Sequence, residues 1–313
     1  MVKVVLALLV LLALATWWRS GARRAEAEES HPRQGQFVTV DGHPVHYLQT
    51  GSGPDVVLIH GASGNLRDMT FDFAERLAAD YRVTMFDRPG LGYTPPLATR
   101  GVSVMDQADL LHGAARSLGI ARPVVVGQSF GGAVAMAWAV RHPEDTAAIV
   151  SLAGATHPWE GDIEVLHRVV STPVLGPALT WLISAWVPKA YVRGQVDGVF
   201  TPQPAPEGYA DYIGLGLVTR PETLLANSRQ RDTLKEELLE LRQFYPDLEM
   251  PVEVVHGTAD DIVGLKVHAE AMLRDVPQAN LTRLEGIGHM PHHVAPEAVE
   301  AAIGQAAQRA GLR

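Results

Sequence analysis

The chain contains no cysteine among its 313 residues, so it can form neither disulfides nor thiolate metal sites. The lack of cysteine does not determine the cellular compartment, because a protein without disulfides can work on either side of a membrane. Basic residues are fewer than acidic ones, 26 Lys and Arg against 35 Asp and Glu, and the formal net charge is −9. This balance gives no electrostatic footprint for nucleic acid, so no nucleic-acid partner is predicted.

Aromatic residues make up only 6% of the chain and charged residues 19%, while 47% of it is hydrophobic. That composition is ample for the core of one large domain with an insertion. The 13 histidines are scattered, and His289, His292 and His293 cluster without the helical spacing of a zinc site. The sequence therefore predicts neither a metal nor a cofactor.

The stretch Gly127-Gln128-Ser129-Phe130-Gly131 places a serine between a strand and a helix. A β-branched run, Pro123-Val124-Val125-Val126, precedes it, and an apolar segment of helical composition follows it. Glycines on both sides of Ser129 remove the Cβ atoms that would collide in so sharp a turn. The pattern predicts a nucleophile at the edge of a sheet, at the N-terminus of a helix.

A serine nucleophile needs a base, and the base needs an acid that orients it. The strand 251–256 is followed by Asp260, and the strand 280–284 is followed by a glycine-rich loop with His289. Acids and bases that follow parallel strands lie on the same rim of the sheet as the serine turn. The order Ser129, Asp260, His289 therefore predicts a catalytic triad.

Together these motifs resemble the α/β-hydrolase superfamily, in its serine-nucleophile, capped, esterase- or lipase-like branch. The resemblance covers roughly Phe37 to the C-terminus. It also rests on three further short motifs: His60-Gly61, Asp87-Arg88-Pro89-Gly90-Leu91-Gly92 and Gly288-His289. It implies Ser129 as nucleophile, His289 as general base and then acid, and Asp260 as the orienting carboxylate, with Asp261 as the fallback.

The resemblance further implies an oxyanion hole made of two backbone N–H groups, those of Ala62 and Phe130. Serine at position 129 departs from the aspartate nucleophile of haloalkane dehalogenases and epoxide hydrolases, and it therefore points to acyl chemistry. The expected reaction is hydrolysis of a carboxylic ester with a hydrophobic or medium-chain acyl group. A perhydrolase and a C–C bond hydrolase on the same triad are the alternatives, and a catalytically silent binding module is the non-enzymatic one.

The first segment has a different character. Val4 to Trp18 is an apolar run preceded by Lys3 and followed by Arg19, Arg23 and Arg24. With Met1 and Val2 it is long enough for a thin membrane span, and Trp17 and Trp18 suit an interfacial position. The arginines predict a catalytic domain on the cytoplasmic face. The alternative is a secretory signal cleaved at Ala13-Leu14-Ala15, which would export the protein.

These landmarks predict an organisation. Residues 1–20 form the anchor or signal, 21–36 a linker, 37–155 and 250–313 the α/β core, and 156–249 a helical cap. The core is expected to be a mostly parallel sheet with helices on both faces, opened by a hairpin over 37–49. Helices are expected near Asp68–Ala79 and Val104–Leu118. The expected partners are a small-molecule ester, lipid esters included, and a membrane contacted through the first segment, with the oligomeric state left open.

Overall fold

The computed structural model describes residues 1–97 and 102–313, and its centre is an eight-stranded sheet. The strands lie in the order β1-β2-β4-β3-β5-β6-β7-β8. The first two strands and the pair β2/β4 are antiparallel, and the other neighbours are parallel. The strands are β1 Gln36–Val40, β2 His43–Thr50, β3 Asp55–Ile59, β4 Arg82–Phe86, β5 Val124–Gln128, β6 Ala148–Leu152, β7 Val252–Gly257 and β8 Ala279–Leu284.

Helices cover both faces of this sheet, as parallel strands with buried β-branched side chains require. The helices before the cap are α1 Val2–Ser30, α2 Arg67–Thr70, α3 Phe73–Leu77, α4 Val104–Ser117 and α5 Phe130–Arg141. Those of the cap are α6 Val165–Ser171, α7 Leu175–Trp186, α8 Lys189–Gly198, α9 Tyr209–Tyr212, α10 Leu215–Val218 and α11 Pro221–Leu241. The last three are α12 Ala269–Asp275, α13 Pro291–Val294 and α14 Pro296–Arg309.

Two buried clusters divide the core between the faces of the sheet. One joins α4, α5 and the C-terminal half of α11 around Trp138, which is fully buried. The other joins α2, α3 and α14 around Phe73. The predicted α/β-hydrolase fold is confirmed, with the opening hairpin and the helical insertion between β6 and β7. The exact domain limits stay a prediction.

Two expectations about local structure are wrong. The linker predicted over 21–36 is helical as far as Ser30, because this stretch has only Gly21 as a strong helix breaker and contacts the cap, for example from Arg23 to the Val187 carbonyl. Pro32 follows the helix end, where a proline cannot continue it. The helix expected near Asp68–Ala79 is two short helices, α2 and α3, separated at Asp72 by a backbone φ of −154°.

Helix α1 packs against the cap through one narrow stripe. Its buried residues are Thr16, Ser20 and Ala27, which are small or polar, whereas its long apolar side chains point away from the protein. Ala27 lies against Gly216 of α10, where a Cβ would come within 2.6 Å of the Ala27 Cβ. The helix is long and apolar enough to cross a membrane by length and composition, a test that a signal sequence also passes.

Candidate active site

Ser129 occupies the turn between β5 and α5, in a strained conformation. Its backbone has φ 53° and ψ −119°, outside the regions that L-residues with a side chain normally adopt. Close packing requires both flanking glycines: a Cβ on Gly127 would lie 2.1 Å from the Gly131 carbonyl oxygen, and one on Gly131 would lie 2.2 Å from that of Ile59. This turn leaves Ser129 partly exposed at the carboxyl edge of the sheet.

His289 and Asp260 form a buried pair. His289 Nδ1 lies 2.8 Å from Asp260 Oδ2, and the backbone N–H groups of Ile262 and Val263 each donate to Asp260 Oδ1 at 2.9 Å. Burial alone would raise the pKa of Asp260, but hydrogen bonds from His256, His289 and the Val263 N–H lower it well below the usual range. Asp260 is therefore a carboxylate that fixes the imidazole, whereas the predicted fallback, Asp261, is exposed.

The histidine loop lies against the serine turn. Gln128, the residue before Ser129, donates from Nε2 to the His289 carbonyl oxygen at 3.3 Å and to the Met290 sulfur at 3.6 Å. Among the described residues no hydrogen bond joins the Ser129 side chain to His289. In enzymes such bonds often tighten only when a substrate is bound. The structure thus brings the three predicted triad residues to one rim of the sheet and pairs two of them.

The two backbone N–H groups predicted for an oxyanion hole are free to bind a ligand. Phe130 is the first residue of α5, so its N–H has no acceptor within the helix. Within residues 1–97 and 102–313, no hydrogen bond uses the N–H of Ala62. Gly61 packs on the serine turn, since a Cβ there would approach the Ser129 Cβ to 3.1 Å.

Arg88 fixes the loop that carries Ala62, a role that the sequence did not reveal. Its guanidinium donates to the Gly61 carbonyl at 2.9 Å and to the His60 carbonyl at 3.0 Å, and it lies 4.3 Å from the centre of the Phe130 ring. Because C=O and N–H of a trans peptide point in opposite directions, holding the Gly61 oxygen directs the Ala62 N–H away from Arg88.

Among the residues that the structure describes, no carboxylate pairs with this cation. Its other partners are the amide oxygens of Gln107 at 2.8 Å and Gln230 at 2.7 Å, and Gln230 belongs to α11 of the cap. Burial lowers the pKa of Arg88 to about 9. These partners are 19 and 142 residues away in sequence, so only the motif Asp87-Arg88-Pro89-Gly90 could have hinted at the arrangement.

His60 is held as a neutral imidazole beside this loop. Its Nδ1 donates to the Gly61 carbonyl at 2.9 Å, and its Nε2 accepts the Arg88 backbone N–H at 3.1 Å. Burial and the charge of Arg88 lower the pKa of His60 to about 4. A proton on Nε2 would displace the Arg88 N–H, so the neutral form of His60 supports the loop that carries Ala62.

A second polar cluster joins the core to the cap. The Asp68 carboxylate accepts from Tyr209 OH at 2.6 Å and lies 2.9 Å from His293 Nε2 and 3.4 Å from His292 Nε2. Burial alone would raise the pKa of Asp68, but the two imidazoles lower it well below the usual range, while burial lowers the pKa of His292 to about 4. One ligand atom each from Asp68, His292 and His293 lie within 4.8 Å of one another, which is close enough to hold a metal ion. Three donors thus surround the Asp68 carboxylate, while the buried Nδ1 of His292 has no hydrogen-bond partner among the described residues.

The cap also contacts the loop that carries Ala62 directly. The Ser63 N–H donates to Asn227 Oδ1 of α11 at 2.7 Å, and Asn65 Nδ2 donates to the Ile213 carbonyl at 3.0 Å. A shift of the cap would therefore move the loop on which Ala62 lies.

Comparison with known proteins agrees with this geometry. A family model described as "Alpha/beta hydrolase family" matches residues 56–302. The chain belongs to the alpha/beta hydrolase family. It is 27% identical over 280 residues to the pimeloyl-acyl-carrier-protein methyl ester esterase of Nitrosomonas europaea, a match that covers 81% of this chain and 95% of that one.

Two solved structures have the same hydrolase fold. A bacterial membrane phospholipase A matches with a TM-score of 0.67 and 23% identity, over 98% of this chain and 99% of that one. The 2-hydroxy-6-oxo-6-phenylhexa-2,4-dienoate hydrolase of a Rhodococcus species matches with a TM-score of 0.72 and 20% identity, over 88% and 98%. At these identities the likeness establishes the fold, and the substrate has to be inferred from the site.

Proposed function

We propose that this hydrolase is a membrane-anchored enzyme that cleaves carboxylic esters with a hydrophobic or medium-chain acyl group. The observation that carries the proposal is the 2.8 Å contact between Asp260 and His289, where the loop of His289 packs against the Ser129 turn. A buried carboxylate, an imidazole and a strained serine after strand ends on one rim of the sheet are the parts that acyl transfer needs. Similarity to an esterase supports the same chemistry.

The reaction proposed for these residues has two halves. Ser129 Oγ attacks the ester carbonyl carbon and its proton passes to His289 Nε2, while Asp260 stabilises the imidazolium through Nδ1. The C–O bond then breaks, His289 returns the proton to the leaving alcohol, and the acyl group remains as an ester of Ser129. Water attacks this ester with His289 as base, which releases the acid and restores the serine.

Charge on the carbonyl oxygen develops in both tetrahedral intermediates. The N–H groups of Ala62 and Phe130 are proposed to bind it, and Phe130 adds the positive end of helix α5. Arg88 lies behind this site, with its guanidinium 4.3 Å from the centre of the Phe130 ring. Arg88 and His60 both hold the Gly61 carbonyl, and this supports an Ala62 N–H that is preorganised for the proposed role.

The membrane part of the proposal rests on helix α1. Its long apolar side chains, from Val2 to Leu14, are more than half exposed, which is unfavourable in water and favourable in lipid. The arginines that follow predict a cytoplasmic catalytic domain by the positive-inside rule. Cleavage after Ala15 is the alternative, and it would leave the packed part of α1, from Thr16 onward, on the mature protein. The mass of the N-terminal peptide and partition into the membrane fraction distinguish the two.

The catalytic part is tested with an active-site probe and a panel of esters. A fluorophosphonate should label the purified protein stoichiometrically, and the Ser129→Ala variant should show no labelling. p-Nitrophenyl esters of graded acyl length should then show which chain length gives the highest kcat/KM. Labelling that persists in Ser129→Ala would refute the role of Ser129. An unlabelled, inactive wild-type protein would favour a silent binding module.

Hydrolysis of a C–C bond is the second candidate, supported by 34% identity over 146 residues to a 2-hydroxy-6-oxononadienedioate/2-hydroxy-6-oxononatrienedioate hydrolase of Burkholderia vietnamiensis. The two activities share the serine and the histidine but differ in the leaving group, which is a carbanion equivalent in one and an alkoxide in the other. This candidate would be favoured if the protein turns over a vinylogous 1,5-diketone, measured as loss of the substrate's absorbance, and turns over no ester in the panel. Perhydrolysis is recognised by halide oxidation that depends on added peroxide and carboxylic acid.

A further inference from the structure

Outside α1, large exposed hydrophobic residues are concentrated in one part of the cap. Eight of the thirteen such residues in the described ranges beyond Ser30 lie between positions 165 and 191. Six of them, on α6, α7 and the turn between these helices, are named here the cap apolar face. They are Val165, Leu166, Val174, Leu175, Trp181 and Leu182.

The turn between α6 and α7 is the most exposed part of this face. Val174 is 82% exposed and Leu175 60%, although both are aliphatic. Other large exposed hydrophobic residues, such as Phe37, Leu239 and Phe244, are isolated in sequence, which is normal for a soluble surface. Such a concentration of exposed apolar side chains is typical of an interaction surface.

Helix α7, which carries part of this face, packs against α1. Trp186, at the end of α7, donates from its indole to Thr16 Oγ1 at 3.0 Å, and the Arg19 guanidinium lies 4.9 Å from the centre of its ring. Ser20 and Ser184 share a hydrogen bond of 3.0 Å, and Arg19 donates to the Ala185 carbonyl at 2.7 Å. Helices α1 and α7 are therefore fixed to each other, and α6 and α7 together are long and apolar enough for a membrane segment bent by 117°.

We propose that the cap apolar face lies in the interfacial layer of the bilayer that α1 enters, so that the site receives lipid esters directly from the membrane. The occupant is a lipid surface because the buried residues of α1 are small or polar while its long apolar side chains point outward, as in a helix that packs in a membrane. Trp17, Trp18, Trp181 and Trp186 are all exposed near this junction and suit the headgroup level. This inference rests on the proposed esterase function for its substrate, whereas the docking itself does not.

The absence of cysteine allows a direct test of docking on the full chain. Leu175→Cys is labelled with an NBD fluorophore and reconstituted in liposomes of phosphatidylcholine and phosphatidylglycerol. Leu239→Cys on α11, also an exposed leucine, is the matched control. We expect blue-shifted emission at 175 that acyl-brominated lipids quench, and water-like, unquenched emission at 239. Water-like emission at both positions would overturn the proposal.

A second copy of the chain is the competing occupant, and the same label reports it. Blue-shifted emission at 175 in detergent micelles that is lost on dilution, with no quenching by brominated lipid in liposomes, would show a protein interface and contradict lipid docking. Under the proposal, emission at 175 depends on lipid and is independent of protein concentration.

Measuring turnover of a lipid ester and of a soluble ester separates membrane docking from catalysis. In the double variant Val174→Asp, Leu175→Asp, turnover of a lipid ester in vesicles should fall about tenfold or more, since charges are unfavourable in the interfacial layer. Turnover of a soluble p-nitrophenyl ester should be unchanged, as should both activities in Leu239→Asp. Equal activity of the double variant and wild type on vesicles would refute delivery from the membrane. A wild type without activity on any ester would refute the proposed function and leave the fluorescence result to decide docking.

Discussion

Arg88 donates a 2.9 Å hydrogen bond to the carbonyl oxygen of Gly61, and by this contact it sets the direction of the next peptide N–H. The guanidinium is buried, and its hydrogen-bond partners within residues 1–97 and 102–313 are all neutral, among them Gln230 of the cap. Its positive charge therefore lies uncompensated beside the place where the proposed mechanism develops negative charge. A buried cation is costly unless its hydrogen bonds are satisfied. Here four hydrogen bonds to oxygen atoms and one contact with the Phe130 ring surround the guanidinium.

The first prediction concerns this arginine. In Arg88→Lys the charge stays but the fork that reaches Gly61 and His60 together is lost. We expect kcat on a soluble ester to fall about 10²–10³-fold, the effect of losing one oxyanion donor, while KM changes little.

The control for this prediction is Arg82→Lys, which alters an ion pair with Asp55 at the amino ends of β3 and β4, opposite the carboxyl ends that carry the site. Thermal unfolding is measured for both variants, because a merely structural role for Arg88 would lower stability without the split between kcat and KM. A drop confined to stability, with normal kcat in the folded fraction, would contradict the positioning role.

The second prediction separates the two neighbouring aspartates. Asp260 accepts from two backbone N–H groups and contacts His289, whereas Asp261 is exposed. Asp260→Asn should leave the hydrogen bonds largely intact but favour the wrong imidazole tautomer, and kcat should fall about 10⁴-fold. Asp261→Asn should keep wild-type kcat on the same ester. A larger loss in Asp261→Asn than in Asp260→Asn would reverse the assignment.

Much of this site could be predicted because its parts are local in sequence. The serine turn, the acid after β7 and the histidine after β8 each follow a strand, and parallel strands bring their carboxyl ends to one edge. The support around Arg88 could not be found in the same way, since Gln107 and Gln230 are distant in sequence and have no diagnostic pattern. Helix α1 was predicted as far as residue 20, but its continuation to Ser30 depends on contacts with the cap, such as Arg23 to the Val187 carbonyl at 2.8 Å.

The third prediction uses two glycines that both lie within helices. A Cβ on Gly131 of α5 would stand 2.2 Å from the Ile59 carbonyl oxygen, whereas one on Gly194 of α8 would meet nothing within 4 Å. Gly131→Ala should destabilise the protein by about 1–3 kcal/mol or more through overpacking, and it should disturb the serine turn enough to abolish fluorophosphonate labelling.

Gly194→Ala is the matched change, and it should raise stability by up to about 1 kcal/mol because alanine is the better helix former. Both values are obtained from urea unfolding curves with the m-value checked. Equal stability of the two variants would show that the serine turn relaxes easily around an added methyl group.

The last prediction concerns acid stability. Burial lowers the pKa of His60 and of His292 to about 4, against 6.5 for an ordinary histidine. Between these values the unfolded chain takes up protons that the folded chain refuses, so the unfolded state binds more protons and stability falls as the pH is lowered. Each of these two histidines should cost on the order of 2 kcal/mol at pH 5 relative to pH 7.5. The variant His292→Gln removes one such group, and the slope of unfolding free energy against pH between 4.5 and 6 should flatten by about 1 kcal/mol per pH unit. Urea titrations across this interval measure the slope, and one equal to that of the wild type would show that His292 is already protonated in the folded protein.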